Sequence, residues 1–126
     1  MKLKLSLIFA SLFVIFAFSA VARAQDGPIA GGYGDTDVTD KGVVAAAKFA
    51  VKKHYRNTKW NATLDAIKNA KVQVVAGLNY QLCLQISTRN RSKKPVVQFV
   101  RAIVYRNLKN GFSLTSWTPL EDEKGC

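Results

Sequence analysis

His54 is the one histidine of this 126-residue chain, Cys83 and Cys126 are its two cysteines, and its eight carboxylates are scattered except for the run Glu121-Asp122-Glu123. General acid–base catalysis needs a titratable group held within reach of a nucleophile. Spacing ties no such group to His54, so the histidine reads as a packing residue rather than a general base. A metal centre needs a Cys/His/carboxylate cluster, and a phosphate site needs a glycine-rich loop opening a helix. Neither pattern occurs, so no catalytic residue, metal or cofactor is expected and the chain does not read as an enzyme. The two cysteines leave two readings. In an exported chain they can form a disulfide whose long loop is worth about 4 kcal/mol in the chain-entropy model. Otherwise Cys83 is free on the less apolar face of a strand and Cys126 is free on a frayed tail.

Export is itself expected from the first residues. Lys2 and Lys4 precede an almost wholly apolar run from Leu5 to Phe18, and Ala22-Arg23-Ala24 supplies the small residues of a cleavage site. The apolar run is shorter than the roughly 20 residues that span a bilayer, which favours a signal peptide over residues 1–24 and no membrane span. Cleavage leaves about 100 residues, enough for a single domain over 25–126. The formal charge falls from +11 to +8 as Lys2, Lys4 and Arg23 leave. The remaining cations are spread over Lys48, Lys52, Lys53 and Arg56, the turn Arg89 to Lys94, and Arg101, Arg106 and Lys109. No aromatic-interleaved tract accompanies them, so long-range attraction to acidic surfaces is expected and specific nucleic-acid binding is not. Two glycosylation sequons, at Asn61 and Asn90, fall in expected loops.

Patterning then divides the chain. Gln25 to Asp37 is rich in Gly and Asp and reads as an arm, flexible over 25–36, leading into a short first strand. Thr39 is a suitable N-cap for a helix on which Val43, Ala46, Ala47, Ala50 and His54 share one face. From Leu78 to Ile86 the even positions are apolar and the odd ones are Asn79, Gln81, Cys83 and Gln85, the alternation of a strand with one buried face. Gly77 separates this run from Lys71 to Val75. The pattern allows a hairpin with its tip at Gln73 to Gly77, or one buried strand with a bulge at Gly77. As a tip, Val74-Val75-Ala76 is unusually apolar; each exposed valine would gain roughly 1.5 to 3 kcal/mol from a partner that buried it. Val96 to Tyr105 reads as a long strand, and Asn110-Gly111 turns the chain back into Phe112 to Trp117. One helix followed by a meander of strands implies an α+β fold, with the helix packed across a four- to five-stranded antiparallel sheet.

Three motifs in order carry a family resemblance. Gln73-Val74-Val75-Ala76-Gly77 resembles the Gln-x-Val-x-Gly hairpin of the cystatins, inhibitors of papain-like cysteine proteases. Ala46 to His54 resembles the helix signature of plant cystatins, and Gly31-Gly32 sits where the family keeps its N-terminal glycine. The resemblance implies a cystatin-like fold and reversible, tight inhibition by occlusion of the protease cleft. Ile29, Ala30 and Gly31 would fill one side of that cleft, Gln73, Val74, Val75, Ala76 and Gly77 would cover its centre, and a second hairpin would brace the other side. The family's Pro-Trp in that hairpin is replaced here by Leu108 and Lys109. Leu114-Thr115-Ser116-Trp117-Thr118-Pro119 resembles the family's last strand instead, which makes Trp117 a packed strand residue. The paired cysteines depart from plant cystatins, which generally carry no bridge. A monomer is expected, with a domain-swapped dimer as the other assembly. The alternative function is a non-inhibitory binding protein that uses its basic surface on acidic or membrane partners.

Overall fold

Alanine is small enough to let a helix approach a sheet closely, and the buried stripe of the helix is made largely of it. In the computed structural model, which describes residues 31–89 and 94–126, helix α1 spans Lys41–Tyr55 and buries Val43, Ala46, Ala47, Ala50 and Val51. Val51 is buried where His54 was expected, and His54 is exposed. The N-cap is Asp40, not Thr39: its carboxylate accepts from the amides of Gly42 at 2.8 Å and Val43 at 3.1 Å. Thr39 is occupied elsewhere, donating both its amide and its hydroxyl to Asp37 at 2.7 Å. These two bonds hold the Asp37 carboxyl below the usual carboxylate range. At the other end Lys52, Lys53 and His54 sit where the helix dipole is negative.

Five strands follow one another across a single antiparallel sheet: β1 (Tyr33–Asp35), β2 (Asn61–Val75), β3 (Gly77–Arg89), β4 (Pro95–Arg106) and β5 (Phe112–Leu120). The hairpin reading of the central stretch is the right one, since Val75 pairs with Gly77 across the Ala76 apex. Leu82, Leu84, Ile86, Val100, Ala102 and Val104 turn toward the helix and are fully buried. β2 begins at Asn61, so the first sequon lies on a strand rather than in the expected loop. β3 continues past Ile86 to Arg89 because Ser87 and Thr88 find partners in Val97 and Val96. β5 continues to Leu120 through Pro119, tolerated because β5 is an edge strand. The expected signal peptide, arm residues Ile29 and Ala30, and the sequon at Asn90 lie outside the described residues.

The polar face of the sheet carries the C-terminal tail. Cys83 is bonded to Cys126 with their Cα atoms 5.6 Å apart, which settles the choice between paired and free thiols. Beside the bond Arg101 donates to the carbonyl of Gly125. Lys68 on β2 pairs with Glu123 at 2.9 Å, an exposed ion pair of small worth. The disulfide closes a separation of 43 residues, and Cys126→Ser should lower unfolding stability by about 4 kcal/mol, read as a drop in denaturation midpoint. On the helix side, Thr88 is 1% exposed and its hydroxyl has no hydrogen-bond partner among the described residues. Thr88→Val removes that unsatisfied group at nearly constant volume, so it should raise stability by about 1 kcal/mol and raise the melting temperature.

Candidate functional site

Three segments meet at the end of the sheet where β2 turns into β3. The β2–β3 tip is held from both sides. On one side Gln73 donates its amide to the carbonyl of Gly31 at 3.1 Å, and the Gly31 amide donates to Val74 at 3.5 Å. The Gln73 side-chain oxygen in turn accepts from Asn79 at 3.0 Å. This glutamine therefore ties the arm to the hairpin through both ends of its carboxamide, work that hydrophobic pairing could not do because the arm offers only backbone there. On the other side the Tyr105 hydroxyl donates to the carbonyl of Ala76, pinning the apex to β4.

Gly77 is what lets the tip lie so close to β4. Its φ is +108°, a region that favours glycine. A Cβ at this position would overlap the carbonyl oxygen of Arg106. Because the obstacle is β4 backbone and not a movable side chain, substituting Gly77 would disturb the β3–β4 pairing as well as the tip. Arg106 pairs with Leu78 and leads directly into the third segment, Asn107 to Gly111. There the Asn107 carboxamide accepts from the amides of Lys109 and Gly111, each at 2.9 Å. Asn110 takes a φ of 65°, which asparagine tolerates better than most residues.

The resulting edge is apolar and open. Val74 is 37% exposed, Val75 41% and Leu108 80%. Tyr33, paired in register with Gln73, adds a ring that is 39% exposed. The structure thus brings Gly31, Gln73, Val74, Val75, Ala76, Gly77, Leu108 and Lys109 to one end of the sheet. Sequence reasoning missed Tyr33, Tyr105 and Asn107. Linear spacing carries no signal for Tyr105, because its place beside the tip follows from the β3–β4 register, in which it pairs with Asn79.

Trp117 is elsewhere. Its ring stacks on His54 with centroids 4.1 Å apart and planes 7° from parallel, and meets Tyr55 edge-on at 5.8 Å. It pairs with Ala102 in the middle of the sheet. His54 is partly desolvated by this packing, which lowers its pKa from the ordinary 6.5.

Residues 36–120 match the family model described as "Aspartic acid proteinase inhibitor". L-cystatin of Tachypleus tridentatus is 33% identical over 85 residues, which are 64% of this chain and 64% of that protein. The match therefore spans a little under two thirds of the relative's length. The salivary cystatin of the soft tick Ornithodoros moubata superposes with a TM-score of 0.62 at 25% identity, covering 74% of this chain and 100% of that one. Mialostatin, a gut cystatin from the hard tick Ixodes ricinus, gives 0.61 at 17% identity over 73% of this chain and 100% of its own.

The stacked ring makes Trp117→Ala a test of where this tryptophan acts. A half-buried aromatic removed from the helix–sheet junction should cost about 2 to 3 kcal/mol of stability, seen as a lowered melting temperature, while whatever the far end of the sheet binds is still bound below that melt.

Proposed function

Because the chain belongs to the cystatin-like family, we propose that it is a secreted, reversible inhibitor of papain-like cysteine proteases and not an enzyme. The observation that carries this reading is the convergence of Gly31, the Gln73 to Gly77 tip and the Asn107 to Asn110 loop on one sheet end, with Val74, Val75 and Leu108 unburied. A row of apolar side chains on a narrow, internally braced edge suits insertion into a concave cleft. Burial of what remains exposed of the two valines would contribute roughly 1 kcal/mol each. The bracing lowers the conformational cost of binding, since the tip is already held by Tyr105 and Gln73 before a partner arrives.

Inhibition in this reading is by occlusion. The tip would cover the protease's nucleophile, the arm with Ile29 and Ala30 would lie along one side of the cleft, and Leu108 and Lys109 would meet the other. No peptide bond of the hairpin would reach attack geometry, so the inhibitor would leave uncleaved. Leu108 offers less contact area than an aromatic anchor, which lowers the affinity expected from the third segment.

A second reading has its own observation. The family model matched by residues 36–120 is described for inhibition of aspartic proteinases, and the same wedge could address such a cleft. Titrating papain and pepsin in parallel with the folded mature chain separates the two. The expected result is stoichiometric, reversible loss of papain activity that persists in about 1 M salt, with intact inhibitor and unaffected pepsin. Inhibition of pepsin alone would transfer the function to the second reading, and inhibition of neither at micromolar concentration would remove both.

A further inference from the structure

At the end of the sheet remote from the wedge, a second apolar surface is open. Val51 and Tyr55 in the last turns of α1, Trp60 in the connection to β2, and Ala62 on β2 line a groove of about 360 Å³. Trp60 is 42% exposed. Lys52 and Arg56 stand at the same groove, and none of its lining residues is acidic.

An unpaired stretch of sheet edge begins in this groove. β2 pairs with β3 along its length but with β1 only through Lys71, Val72 and Gln73. Among the described residues no strand pairs with the other edge of Asn61–Leu64. Just beyond, the register shifts between Leu64 and Ala66 and again between Ile67 and Asn69. Such bulges blunt an edge against indiscriminate pairing. They leave the regular segment Asn61–Leu64 open beside the aromatic groove.

We propose that this groove and edge form a docking site for an extended, acidic segment of a protein partner. The segment adds to the edge of β2 at Asn61–Leu64, places a bulky apolar side chain against Trp60 and Tyr55, and sets carboxylates opposite Lys52 and Arg56. The cationic rim selects the charge of the occupant. The free backbone donors and acceptors of β2 select a peptide over a lipid, which cannot use them. Along the 15 residues of β2 the site stands on the order of 40 Å from the tip at the usual rise per residue, so wedge and groove can be filled together. Asn61 lines the groove and heads the sequon, so a glycan attached there would close the site. The site stands independently of what the wedge inhibits.

The test is a random octapeptide library displayed on phage, panned on the unglycosylated mature chain and counter-selected on Trp60→Ala. Enriched peptides should carry a bulky apolar residue flanked by Asp or Glu. A synthetic copy should bind at least tenfold more weakly to Trp60→Ala, Lys52→Glu and Arg56→Glu, should shift the amide resonances of Asn61 to Leu64, and should leave protease inhibition unchanged. Lys52 and Arg56 are exposed, so their variants decide the question if Trp60→Ala does not fold. Failure to enrich any peptide over the counter-target would overturn the proposal, as would enriched peptides that compete with the protease. Binding of phosphatidylserine vesicles that is lost in Arg56→Glu, without peptide enrichment, would assign the surface to membranes and equally overturn it.

Discussion

Ala46, Ala47 and Ala50 on the helix, with Ala70 and Ala102 on the strands, bring only methyl groups into the centre of the core, and this sets how near the helix axis can come to the sheet. Ala70, Leu82 and Ala102 stand side by side in register, so the helix rests on a row with one large residue between two small ones. Larger residues lie toward the ends, where Tyr80 and Val104 fill one side and Leu84, Ile86 and Val100 the other. The helix of 15 residues covers the middle of strands that overhang it. Both exposed apolar surfaces, the valine tip and the tryptophan groove, are consequences of that overhang. Enlarging any of these alanines would lift the helix and alter both ends together.

The fold was largely legible because two clean periodicities occur in one short chain. Alternation from Leu78 to Ile86 needed only a partner on each side to become β3, and Val96 to Tyr105 supplied one. The errors fell where a local hydrogen bond overrode propensity. Thr39 is a good capping residue in isolation, but Asp37 captures it, and Asp40 then presents a free carboxylate to the first turn. His54 shares the angular position of Val43 and Ala47, yet it lies at the last turn, where the neighbouring element is β5 and its Trp117 rather than the alanine row. The start of β2 was obscured because Asn61, Thr63 and Asp65 carry polar side chains on the outward face of a strand that also contains two register shifts.

The wedge was legible in its motif and not in its bracing. Composition left Val74-Val75-Ala76 as either an apolar tip or a buried, bulged strand, and the family motif favoured the tip. Nothing in linear spacing shows that Tyr105 reaches the Ala76 carbonyl, or that Asn107 organises the neighbouring loop with a single carboxamide, because both contacts depend on the β3–β4 register. The groove at the other end was less legible still. Its rim of Lys52 and Arg56 looks, in sequence, like the solvated face of a helix, and only the return of the chain through Trp60 to β2 places an aromatic ring beside those charges.

The position of the disulfide relative to the tip bears on how the molecule could exchange parts with a second copy. Cys83 lies on β3 and Cys126 in the tail, so both sulfurs belong to the half of the chain that follows the Val75-Ala76-Gly77 bend. The half that precedes it, comprising β1, α1 and β2, is joined to the rest by strand pairing, core packing, the side-chain bonds from Asn79 to Gln73 and from Ser87 to Asp65, and the exposed Lys68–Glu123 ion pair, with no covalent link except the bend itself. If the bend straightened, this first half could leave as a unit and settle on the second half of another molecule with the sulfur bond untouched. The bond therefore strengthens one half of the protein without guarding the seam between the halves; that seam is held shut by the β2–β3 ladder and by the fit of the alanine row, while the hydroxyl of Tyr105 pins the bend itself.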